Sequence, residues 1–223
     1  MRSFLPELEK KNFKVNDIPA AGGGYQTIYE DLLKLLAGAD IADLAGRLDL
    51  PLNETGETGI PFFGKTFFLS NQGIRRSDGR NFPSPIGSGL IHYLLNGSRS
   101  RPVGKFMTLA ELAGPLFKQS SYSASALEGP IVKRFKGRAA ELLKTAEAVG
   151  GRRGGEAGMG SLSLIFDLLP HIPIQLIFYD QDDEFPARAT LLFDSQALSL
   201  IDFEALAVLV TLFVQSLTRP QKE

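Results

Sequence analysis

Four carboxylates fall within five residues, Asp180, Asp182, Asp183 and Glu184, between two apolar runs. On an extended segment Asp180, Asp182 and Glu184 would point the same way. A hard cation such as Ca²⁺ or Mg²⁺ takes several such oxygens. The segment does not match an EF-hand loop, because Phe185 stands where the sharp glycine turn is needed and Leu191 where the bidentate glutamate belongs. Charged, turn-forming residues are common in hairpin loops, so the preferred reading is a hydrated turn with no metal site. Phe185, followed by Pro186, either folds back onto the core, the favoured reading, or serves as an exposed contact.

His171 lies between two prolines in LPHIP, and His92 is the second histidine of the chain. Imidazole can act as base or ligand near neutral pH. With Asp167 and Asp194 as acidic neighbours, the two would suffice for a metal-assisted hydrolase, yet no HExxH-like spacing ties them together. His171 with Asp180, Asp182 and Glu184 is therefore the group to test for acid/base chemistry. Gly22, Gly23 and Gly24 precede a helix, where free amides can hold an anion. They lack the GxGxxG spacing and the Walker lysine, so they are a weak anion-site candidate. Lys65, Arg75, Arg76, Arg80, Arg99, Arg101 and Lys105 share a region whose one acid is Asp78. Gathered on one face they would attract a phosphate, an acidic partner or a nucleic-acid backbone, and the favoured reading is that they are scattered over loops.

These residues need elements to position them. GGGYQTIYEDLLKLLAG is a helix with Ile28, Leu32, Leu35 and Leu36 at helical spacing and Gly38 as its stop. A short helix follows over Asp40–Leu48. PFF and FFL flank Gly64-Lys65, which reads as a hairpin. SPIGSGLIHYLLNGS returns to helix, and Thr108 and Glu111 have capping-box spacing. Ile131, Phe135, Ala139, Leu142, Ala146 and Val149 line one face of a helix over Pro130–Val149, with Pro130 in its first turn. Residues 146–160, rich in glycine, read as a flexible surface loop. SLSLIF, IPIQLIFY and ARATLLF are strands, and the final helix, capped by Asp202, is apolar all round. The fold expected is a single α+β domain over 1–223, a mostly antiparallel or mixed sheet covered by helices.

The bulk numbers agree with this. The chain has 223 residues, 43% hydrophobic and 22% charged, which is the ordinary globular range. Lys and Arg total 24 against 25 for Asp and Glu, so no basic excess marks a specific nucleic-acid binder. Cysteine is absent, which removes thiol nucleophiles, thiolate zinc sites and iron–sulfur ligation by this chain. The longest greasy run, ALAVLVTLFV, is too short for the ~20 residues of a membrane span. No apolar signal core interrupts the charges of the N-terminal sequence, so a cytoplasmic location is expected.

On LPHIPIQLIFYDQDDEFPARATLLFD, especially Leu169-Pro170, Pro173, Asp183-Glu184-Phe185-Pro186-Ala187 and Leu192-Phe193-Asp194, the sequence resembles the family known as domain of unknown function 3786. LIHYLLNG and FMTLAELAG are weaker echoes. The resemblance implies the same α+β fold over most of the chain and supplies no catalytic role. Some relatives carry an added iron–sulfur module, whose chemistry a chain without cysteine does not inherit. Together these readings favour a non-catalytic accessory domain that binds a small anionic ligand or a protein partner, with cofactors left open. The alternative is a metal-assisted or acid/base enzyme using His171 and nearby carboxylates.

Overall fold

The computed structural model describes residues 23–114, 124–155, 158 and 160–219. Seven α-helices among them surround two antiparallel sheets. The fold is α+β. The helices are α1 (Gly23–Ala37), α2 (Ile41–Arg47), α3 (Ser84–Asn96), α4 (Leu109–Ala113), α5 (Ala124–Phe135), α6 (Ala139–Ala148) and α7 (Phe203–Thr218). Strands β1 (Thr58–Phe62), β2 (Lys65–Ser70) and β3 (Gly73–Arg76) form one sheet in sequential order. Strands β4 (Phe106–Thr108), β5 (Arg152–Arg153), β6 (Ser161–Leu169), β7 (Ile172–Tyr179) and β8 (Arg188–Asp194) form the other, ordered β4-β8-β7-β6-β5.

The larger sheet follows from period-two patterning. In β7, Ile172, Ile174, Leu176 and Phe178 are buried and alternate with partly exposed residues. Burying each such side chain contributes about 1.5–3 kcal/mol, so a one-residue slip in register would forfeit the whole face. β7 and β8 pair from Ile174↔Phe193 to Tyr179↔Arg188, as the two apolar runs either side of the acidic tip predict. α7 packs against α3, α5 and β6, and eleven of its residues are buried. Its cap is the expected one: Asp202 accepts from the Ala205 amide at 2.8 Å. The Thr108–Glu111 capping box forms in full at the start of α4.

Several expectations are corrected. The helix expected over Pro130–Val149 is two helices, because Gly137 adopts φ 71° between them. Pro130 lies inside α5 on its exposed side rather than in a first turn. Ile131, Phe135, Leu142 and Ala146 are nonetheless fully buried, so the stripe continues across the break. Segment 146–160 carries the end of α6 and the two-residue strand β5, which pairs with β6 through Arg152↔Ile165. The first hairpin turns at Phe63-Gly64 rather than Gly64-Lys65, and its strands belong to a separate sheet with a third strand, β3. Leu35 is exposed, whereas Leu32 and Leu36 are buried.

Candidate functional site

Two hairpin turns converge, and each places a non-glycine side chain in the left-handed region. In the β1–β2 turn, Phe63 (φ 53°) and Gly64 (φ 62°) are both left-handed. That is the type I′ pattern, for which Asn-Gly is the preferred pair. A phenylalanine there is a steric outlier that costs on the order of 1–3 kcal/mol. In the β6–β7 turn, Pro170 presets its own φ and His171 takes φ 62°, the residue pattern of a type II turn that ordinarily has glycine second.

Contacts on both sides hold the second turn in place. The buried Tyr93 hydroxyl donates to the Pro170 carbonyl at 2.6 Å. Burial pushes the Tyr93 phenol well above its usual range, with the Arg101 charge opposing, so it stays protonated as a donor. His171 Nε2 lies 2.9 Å from the Leu48 carbonyl at the end of α2. A carbonyl only accepts, so Nε2 carries the proton of that bond. Asp49, the next residue, has φ 51° and lies 4.0 Å from the same nitrogen. Its carboxylate is held by Arg101, whose Nε donates at 3.0 Å. Asp49, Phe63 and His171 are the non-glycine residues with positive φ among the described residues.

Phe63 and His171 both line one cleft of about 500 Å³, between the two turns and the end of α6 at Val149-Gly150. A register shift in β6 between Asp167 and Leu169 bends the strand beside it. The floor is aromatic. Phe63 stacks on Phe213 with ring centres 5.6 Å apart and planes within 10°. Phe166 meets Phe213 edge-on at 4.8 Å. Phe166 and Phe213 are buried and belong to the core, whereas Phe63 is half-exposed on its turn. Among the described residues the polar side chains in the lining are His171 and Asp167, and Asp167 is paired with Arg152 Nη1 at 2.8 Å.

The other candidate residues lie elsewhere and have other work. Asp180 sits at the far end of β7 from His171, about 30 Å away at the usual rise of a strand. It accepts from the Gly137 and Ala139 amides at 2.6 and 3.1 Å and so caps α6, whose own N-cap, Arg138, makes no side-chain cap bond. Asp182 accepts from the Glu184 and Phe185 amides at 2.9 and 2.7 Å, which hold its carboxyl below the usual range, and closes the acidic tip as a turn. The structure therefore does not bring Asp180, Asp182 or Glu184 to His171. Phe185 is 66% exposed, against the expectation that it folds onto the core, because the Asp182 bonds turn the loop outward. Asp194 is fully buried and accepts from the amides of Val103, Gly104 and Gln196, fixing the loop before β4.

His92 bonds Asp202 at 3.1 Å, tying α3 to the start of α7. Burial raises the Asp202 carboxyl, but His92 and the helix amides outweigh it and leave the group below its ordinary value. Among the described residues no three His, Asp or Glu side chains are grouped to hold a metal. Gly22 lies outside the described residues, and Gly23 and Gly24 begin α1. Of the basic residues singled out, three are paired with acids: Arg75 with Glu57, Arg76 with Asp78 and Arg101 with Asp49. No helix among the described residues is long and apolar enough to cross a membrane.

Sequence reasoning found His171 and missed its setting. Phe63, Phe166, Phe213 and the Asp49–Arg101 pair carried no signal of function, since phenylalanine in a strand or helix reads as core. The available hint was Phe-Gly where a two-residue hairpin prefers Asn-Gly. Among known proteins, a family model with the description Domain of unknown function (DUF3786) matches residues 40–216. No curated protein and no solved structure matches the chain.

Proposed function

This chain belongs to the DUF3786 family, and from that premise we propose a cytoplasmic accessory protein whose cleft between the two hairpin turns binds a small molecule without transforming it. One observation carries the proposal: two non-glycine residues held in the left-handed region, the sterically strained Phe63 and His171, line the same cleft. Backbone strain persists where the surrounding structure over-determines it, and it concentrates at ligand clamps and active sites. A volume of about 500 Å³ lies within the range of small-molecule pockets. The same geometry supports binding over catalysis. His171 gives one ring nitrogen to a main-chain carbonyl, and Asp167 is spent on Arg152. Asp180 and Asp194 are likewise engaged by backbone amides.

The test is a small-molecule fragment screen read by backbone amide NMR on the intact protein. Shifts should concentrate at residues 61–64, 149–150 and 166–171. Fragments that bind while leaving those residues unmoved would overturn the assignment.

A further inference from the structure

We infer that the occupant of this cleft is an uncharged aromatic molecule carrying a hydrogen-bond donor. The inference rests on the binding reading above and adds the chemical class of the ligand. Three observations carry it. The first is the floor: Phe63 and Phe213 lie nearly parallel, and Phe166 presents its ring edge-on to Phe213. A flat ring entering beside them extends an offset-stacked and edge-to-face cluster, which is worth more than the same area of saturated carbon.

The second is charge. Among the described residues no lysine or arginine lines the cleft, and its carboxylate, Asp167, is paired with Arg152. An anion would enter an apolar site next to a carboxylate, and a cation would have to compete with Arg152. Both would lose hydration without a free partner. The small anionic ligand expected from the sequence is thus the wrong charge for this lining.

The third is His171. Its Nε2–H is committed to the Leu48 carbonyl at 2.9 Å, so a ring with a single proton keeps Nδ1 as an acceptor, and no described residue bonds that nitrogen. A ligand hydroxyl or N–H is the complementary group. The bond to Leu48 also fixes which nitrogen is available, so the site chooses donors over acceptors in advance.

The experiment measures binding of three probes to the intact protein by amide NMR titration near neutral pH: naphthol, its saturated analogue decahydronaphthol, and the anionic naphthoate. Naphthol should bind with shifts at Phe63, Phe166, His171 and Phe213, at least about tenfold more tightly than either analogue. His171→Asn, which tolerates the left-handed turn, should weaken naphthol by roughly tenfold, the effect of losing one hydrogen bond. Equal or tighter binding of decahydronaphthol or naphthoate at the same residues overturns the aromatic, uncharged class and leaves the binding reading standing. Failure of all three to move the cleft residues overturns the class too, and the fragment screen then decides the binding reading separately. Because the probe series uses the parent protein, its outcome does not depend on the variant folding.

Discussion

At His171 three demands meet: a left-handed backbone, a bond to the Leu48 carbonyl and a place in the cleft lining. They separate by substitution. Asn accepts the backbone, so His171→Asn should cost about 1 kcal/mol, the worth of the lost bond. Val does not accept it, and His171→Val should cost about 1–3 kcal/mol more. Urea unfolding checks this, and equal losses would mean the turn relaxes freely. Elsewhere on the surface, pairing with Arg75 holds Glu57 at about 2 against an ordinary 4.5. Arg76 likewise holds Asp78 at about 2 against 3.8. A depressed carboxyl stabilises the fold when ionised, so this contribution is complete above the ordinary values and is lost as pH falls toward 2. Unfolding free energy should therefore decline across that window in the parent protein, and more shallowly in Glu57→Gln/Asp78→Asn. Identical slopes in the two proteins would show that the pairs do not form in solution.

Among the elements, α5 and α6 show what an apolar stripe reveals and what it hides. Ile131, Phe135, Leu142 and Ala146 are buried as their spacing predicts, because both helices press the same side on the core. The break at Gly137 was illegible, since the apolar period runs straight over it and a lone glycine is also tolerated within helices. The partner that makes the break workable, Asp180, comes from the end of β7, far along the chain, and leaves no local signature. Period-two runs made β6, β7 and β8 readable, whereas β3 and the division into two sheets depend on pairings that no alternation encodes. The aromatic floor was hidden for a similar reason: Phe63, Phe166 and Phe213 come from three separate elements. Phe135→Ala should cost about 3–5 kcal/mol, combining lost transfer energy and a cavity. Asp180→Ala should cost about 1–2 kcal/mol by uncapping α6. Chemical denaturation measures both, and a Phe135→Ala loss below about 1 kcal/mol would place the stripe on a loose edge.

In the molecule as a whole, α7 is the element on which the fold turns, packed by α3 and α5 and by β6 of the larger sheet. Phe213 carries that helix into the cleft, where it meets Phe63 from the smaller sheet and Phe166 from the larger one. The cleft is thus the place where both sheets and the central helix converge, and a ligand there would touch all three. The family match, residues 40–216, contains every described residue of the cleft. If this junction is a binding site for an uncharged aromatic molecule, a crystal of the protein grown with naphthol will hold the ligand there. The naphthol ring should lie beside Phe63 and Phe213, with its hydroxyl within hydrogen-bond distance of His171 Nδ1. Naphthol seated elsewhere on the protein, with this cleft filled only by water, would refute the assignment.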